Sequence, residues 1–162
     1  MKLIVNFLLF VTSIILTLIL FIPAIIHTIV GAIRYGNFYR RITYYFGNSA
    51  KSIDIMCNVL YASMLNDWFI KKNSYHYGKE GETVSSATGK NLYINGLTKW
   101  GIGLSGILDV LEKDHVIISV DDPVYETVYK YPEKISTKIK IISFIVFIII
   151  LIASYKLFTF IF

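Results

Sequence analysis

Glu82-Thr83-Val84-Ser85-Ser86-Ala87-Thr88-Gly89-Lys90-Asn91 is the densest group of small polar residues in an otherwise oily chain. Leu108-Asp109 and Asp114-His115-Val116-Ile117-Ile118-Ser119 follow it. Thr83 is placed to cap a helix, because its hydroxyl can accept from a backbone N–H two or three residues on. On that helix Glu82, Ser86 and Lys90 recur every four residues and share one face. Asn95-Gly96 is a helix stop. The reading of this stretch as a polar helix inside a small bundle decides the fold class, which is mainly α.

Working outward, the 162 residues are 55% apolar with a mean hydropathy of +0.59, above the usual 45–50% or so of soluble domains. The excess lies at the two ends. All 11 acidic residues fall between Asp54 and Glu133. Phe7–Ile26 supplies the roughly 20 apolar residues a bilayer core requires of a helix, and the run continues to Ile33. No small-x-small site precedes a polar stretch, so the pattern favours an uncleaved anchor over a signal peptide. Ile139–Phe162 reads as a second span. The expected organisation is an anchor at 1–33, a helical domain at 34–138 and a transmembrane helix at 139–162.

Basic residues set the expected topology. Arg34, Arg40 and Arg41 follow the first span, and Lys138 and Lys140 precede the second, so both place 34–138 in the cytoplasm and both termini outside. Lys156 sits six residues from the end and can snorkel to the headgroups. These six are the expected membrane-interface residues. Net charge is +5, but the middle of the chain is nearly balanced and carries no basic stripe, so no nucleic acid is expected as a partner.

Between the spans, Gly47-Asn48-Ser49 reads as a stop and a new cap, and a helix is expected over about Ala50–Ile70. Its buried face would be Ile53, Cys57, Leu60, Tyr61, Met64 and Trp68. Asp54 and Asn58 are four apart and can meet one neighbour. Tyr75–Gly81 is a glycine-bearing loop. A further helix is expected over Thr98–Lys113, with Trp100, Leu104, Ile107, Leu108 and Leu111 as its apolar face and its glycines in close helix packing. Val116–Val120 reads as an extended run or a buried loop, and Val124–Tyr131 as a last amphipathic segment opened by Asp121-Asp122-Pro123.

Chemical motifs are weighed by spacing. Gly81 and Gly89-Lys90 are too far apart for a phosphate loop, and Asn91 stands where that loop needs Ser or Thr. Gly101-Ile102-Gly103-Leu104-Ser105-Gly106 has the letters of a dinucleotide fingerprint without the strand before it. Glu82, Asp109 and His115 are the right types for a hydrolase or a divalent metal, but no spacing among them is diagnostic. No cofactor and no metal set is called for. Asp54, Asn58, Glu82, Thr83, Ser85, Ser86, Lys90, Asp109, His115 and Ser119 are the candidate polar network, read first as the organising core of the bundle.

These residues also carry a resemblance. The Glu82-Thr-Val-Ser-Ser86 box with Gly89-Lys90, then Leu108-Asp109, then His115 with Ser119, resembles a group of small proteins encoded by tailed bacteriophages. Ser52–Asn58 looks like their companion segment. That group has Cys where this chain has Val116. The resemblance covers about Ser52–Ser119 and implies a phage origin without an activity. The function expected is a non-enzymatic protein of the host inner membrane, in host takeover, superinfection exclusion, lysis or a virion membrane. Its partners would be the lipid bilayer and a second copy or a host or phage membrane protein. The alternatives are a membrane-tethered hydrolase or metal-dependent enzyme using Asp109, His115 and Glu82, and a holin-like pore.

Overall fold

A computed structural model describes residues 2–129, 132 and 135–161. The fold is mainly α, with eight helices among the described residues. The chain divides into two compact units, Met1–Ala50 and Lys51–Phe162.

In the first unit, α1 runs unbroken from Lys2 to Tyr35 through Pro23. It is long and apolar enough to cross a membrane, and its most apolar window buries nothing in the fold. Its hydroxyls are satisfied locally, Ser13 Oγ donating to the Leu9 carbonyl at 2.8 Å and Thr17 Oγ1 to that of Ser13 at 2.8 Å. Such back-bonding lets polar side chains sit in an apolar helix. Gly36 and Asn37, at φ of 74° and 58°, end it. The Arg34 and Arg41 guanidinium groups both lie 5.6 Å from the Tyr35 ring centroid.

The helix stop expected at Gly47-Asn48-Ser49 does not occur, because α2 runs from Phe38 to Leu60 without a break. None of these three residues adopts a positive φ; the left-handed residues that stop a helix are Gly36 and Asn37 instead. α2 gives way at Tyr61 to the short α3, Ala62–Trp68. The expected apolar face is inverted. Ile53, Leu60, Tyr61, Met64 and Trp68 are exposed, while Asn58 is fully buried and Leu65 and Ile70 are in the core. Only Cys57 of the expected set packs against that core.

α4, Val84–Tyr93, forms the centre of the second unit, and all of it but Leu92 is buried. Thr83 caps it, its Oγ1 accepting from the Ser86 N–H at 3.0 Å. One core cluster gathers Leu65, Ile70, Tyr77, Val84, Ala87 and Leu97; the other gathers Tyr93, Val116, Ile117 and Val120. Gly89 lets α6, His115–Ile118, come against α4, since a Cβ there would lie 2.0 Å from the Val116 carbonyl oxygen. The expected extended run at Val116–Val120 is this single helical turn. α7, Pro123–Val128, is capped by Asp122, whose Oδ1 accepts from the Val124 N–H at 3.1 Å. The expected end of that segment at Tyr131 lies outside the described residues, as do Lys130, Glu133 and Lys134.

α5, Lys99–Leu111, turns only part of its expected apolar face inward: Leu104 and Leu108 pack against the two core clusters, and its glycines make the close helix packing expected of them. Gly101, Ser105, Gly106 and Asp109 are buried, whereas Trp100 and Leu111 are 72% and 71% exposed. Small residues face inward because neighbours come close: a Cβ on Gly101 would meet the Phe69 carbonyl oxygen at 2.3 Å. α8, Thr137–Ile161, packs along α5. Among the described residues α1 is the one helix that qualifies as a span, so the expectation of two spans is reduced to one. The residues of α8 that line a groove with α5 reach Ile150. From there to Ile161 the helix advances only roughly 17 Å at 1.5 Å per residue, short of the ~30 Å hydrocarbon thickness.

Candidate functional site

The polar residues of the second unit assemble into four groups. The first lies along α4. The Lys90 ammonium is 2.6 Å from Glu82 Oε1, and the two side chains are 7% and 8% exposed. Ser86 Oγ donates to Glu82 Oε1 at 3.0 Å, and the Tyr75 hydroxyl donates to Oε2 at 2.8 Å. Lys90 also donates to the Tyr75 hydroxyl at 3.3 Å and lies 4.6 Å and 5.5 Å from the Tyr75 and Tyr125 ring centroids. Burial lowers the Lys90 pKa, but the Glu82 carboxylate and the Tyr75 hydroxyl outweigh it, and the net shift is upward. The Tyr75 pKa is also raised, by burial and then by its bond to Glu82. A lysine held this firmly in its charged form cannot take a proton from Ser86, which argues against a serine–lysine nucleophile. A polar concavity of about 320 Å³ opens beside this group, lined by Lys79, Glu82, Thr83, Ser86 and the two aspartates of Asp121-Asp122 among others.

The second group joins three elements. Asp54 Oδ2 accepts from Ser85 Oγ at 2.7 Å and from the Ser85 N–H at 3.3 Å. His115 Nε2 lies 3.2 Å from Ser85 Oγ, and its Nδ1 pairs with the Glu112 carboxylate. Ser119 Oγ donates to the His115 carbonyl at 2.7 Å and steadies the α6 turn. Glu112, His115 and Ser85 stand in the order of a hydrolase relay. Two features oppose that use. Ser85 is 3% exposed. Its hydroxyl donates to Asp54 at 2.7 Å, so the proton a general base at Nε2 would have to accept is directed elsewhere. Burial and then the Asp54 carboxylate push the Cys57 thiol up, which keeps it protonated and unreactive.

The third group is a clamp on the loop between α3 and α4. Asn58 Oδ1 accepts from the Gly78 N–H at 3.1 Å, and its Nδ2 donates to the Lys79 and Glu82 carbonyls at 3.1 Å and 2.9 Å. Asn66 brackets Tyr77 in the same way, through its N–H at 2.8 Å and its carbonyl at 3.2 Å. Asn91 brackets Tyr75, at 2.9 Å and 2.7 Å. The buried Tyr77 hydroxyl shares a 2.9 Å hydrogen bond with Thr88 Oγ1, and burial pushes its pKa up to about 12.

The fourth group lies between α5 and α8. Asp109 Oδ2 pairs with the Lys140 ammonium at 2.8 Å. Asp109 Oδ1 and Ser105 Oγ are buried without a hydrogen-bond partner among the described residues. Lys140, expected at a membrane interface, is instead the half-buried counter-ion of a buried carboxylate. Lys138 and Lys156 are exposed on α8, and Arg34, Arg40 and Arg41 are exposed in the first unit.

The ten candidates therefore do not form one site. Glu82, Ser86 and Lys90 share one face, but Asp109 and His115 do not join them. Glu82, His115 and Asp109, the set expected of an enzyme, each belong to a different group. Among the described residues no three His, Cys, Asp or Glu side chains gather as a metal site. Tyr75, Tyr77, Asn66, Asn91 and Glu112 take part without having been singled out. Asn66 was findable, since it lies eight residues after Asn58 in a helical stretch; Glu112 was findable as the residue three before His115. Comparison with protein-family models, curated proteins and solved structures finds no match to this chain.

Proposed function

We propose that this chain is a phage-encoded protein of the host inner membrane, anchored by α1, that acts through protein or membrane contacts and not by catalysis. The observation that carries the reading is the closure of the polar groups around Glu82, Asn58 and Ser85 on one another. Glu82 receives three donors, Asn58 and Asn91 bond to backbone on both sides, and Ser85 is held between a carboxylate and an imidazole. Groups that spend their hydrogen bonds this way specify packing. The apolar surface faces outward instead, on α1, α5 and α8, where contacts with lipid or a membrane partner would form. Host takeover, superinfection exclusion and a lysis accessory role all belong to this class.

The topology that goes with this reading has the N-terminus outside and residues 34 onward in the cytoplasm, with α5 and α8 lying against the bilayer. Reporter fusions test it. An external signal from the N-terminus and a cytoplasmic one from the C-terminus are expected. An external C-terminus would restore α8 as a second span, and release of the protein by alkaline carbonate would remove the anchor altogether.

The relay order Glu112–His115–Ser85 favours one second reading, a membrane-tethered hydrolase. Ser85→Ala separates the two. As a structural residue Ser85 costs stability when truncated; as a nucleophile its loss abolishes phage function at unchanged thermal stability.

A further inference from the structure

α5 and α8 lie antiparallel. The Asp109–Lys140 pair joins the end of one to the start of the other. Gly106 backs onto Lys140 and Ile139, and Gly103 onto Ser143. Beyond them the two helices enclose a groove of about 510 Å³, which Phe69 also lines, a volume in the range of small-molecule sites. Its walls are Trp100, Leu104 and Ile107 on one side and Ile142, Val146 and Phe147 on the other. The Ser143 hydroxyl is the one neutral polar side chain in this lining, and Lys99 is its one charged side chain. Lys99 is exposed and has no ion pair among the described residues.

Such a groove selects its occupant by two criteria. Its walls offer almost nothing to hydrogen-bond, so what fills it is a hydrocarbon chain. Lys99 at the α5 N-terminal end calls for a negative charge where that chain ends. Trp100 beside it is 72% exposed, the placement of an indole at a headgroup boundary. Next in sequence to the groove-lining Ile142, Val146 and Ile150 of α8, Ile141, Ile145 and Ile149 are all more than half exposed. We propose that this groove holds an acyl chain of an anionic phospholipid, with the headgroup phosphate paired to Lys99. The inference rests on the membrane reading above and adds a specific lipid site to it.

The test uses the full chain in nanodiscs of equal phosphatidylcholine and phosphatidylglycerol, released into the gas phase for native mass spectrometry. Wild type retains one lipid per chain, with phosphatidylglycerol favoured at least five-fold. A Cβ at position 103 meets only Ser143 Oγ, at 3.6 Å, so Gly103→Ala keeps the lipid. Gly103→Leu fills the groove and loses the lipid at an unchanged melting temperature. Lys99→Glu keeps the chain site but loses the preference for the anionic headgroup. Lipid-free wild type, or Gly103→Leu retaining lipid as wild type does, overturns the proposal. Gly103→Leu abolishing a wild-type dimer instead assigns the groove to a second copy and also overturns it. A protein that remains in carbonate-washed membranes but carries no lipid fails this proposal alone; one that washes off fails the membrane reading beneath it.

Discussion

Glu82→Gln removes the negative charge from the most enclosed ion pair among the described residues while keeping the side chain's size. Glu82 and Lys90 are each less than a tenth exposed, with 2.6 Å between them. Breaking such a pair by neutralising one partner costs about 3–5 kcal/mol, because the other charge stays buried and unmatched. The Tyr75 and Tyr125 rings, at 4.6 Å and 5.5 Å from the ammonium, return about 1 kcal/mol. The net loss expected is therefore about 2–4 kcal/mol. Lys90→Met costs less, because Glu82 keeps its bonds from Tyr75 and Ser86. The double variant is more stable than the two single losses predict, by at least about 1 kcal/mol of coupling. Thermal unfolding of the full chain in micelles, followed by tryptophan fluorescence, reads this as a fall on the order of 10 °C for Glu82→Gln. Lys90 has a raised pKa, so the pair's contribution is complete below the ordinary lysine range and fades as pH rises through the folded-state value. Glu82→Gln loses that alkaline component as well. A Glu82→Gln protein within about 1 kcal/mol of wild type, or strict additivity in the double variant, would refute the polar core as the element that organises the fold.

Tyr77 predicts a second alkaline loss. Its hydroxyl ionises near pH 10 in the unfolded chain and about 12 in the fold. Stability is therefore complete below pH 10 and falls by roughly 1.4 kcal/mol per pH unit as pH rises towards 12. Melting temperatures between pH 8 and 12 should show this, and Tyr77→Phe should remove this component, leaving the Lys90 one, at a neutral-pH cost of about 1 kcal/mol. Gly89→Ala places a methyl 2.0 Å from the Val116 carbonyl oxygen and 2.6 Å from Val120 Cγ2, so α6 must shift. A destabilisation of at least about 2 kcal/mol is expected, read in the same melts, and a neutral substitution would contradict the close approach of α4 and α6.

What was legible in the sequence was local. The Thr83 cap, the four-residue repeat of Glu82, Ser86 and Lys90 and the length of the first apolar run each need only a few neighbours to form. Burial along α2, α3 and α5 was misread for one reason. The apolar stripe was assumed to face the core, as it does in most amphipathic helices of globular domains. Here Asn58, Ser105 and Asp109 turn inward, and Ile53, Trp68 and Trp100 turn outward. The partner of His115 was illegible because Ser85 lies 30 residues away in sequence. Lys140 looked like a headgroup contact by position, and only the approach of α8 to Asp109 makes it a carboxylate's counter-ion.

The asparagine clamp bears on the order in which the chain acquires structure. Its bonds span 11 to 24 residues, so the loop entropy to close them is small. All of them lie between Asn58 and Asn91. Contacts this local form early, and synthesis from the N-terminus delivers this segment before α5 and α8 emerge. The nascent chain can thus shut its hydrophilic centre first, and the greasy helices that follow arrive at a template already set.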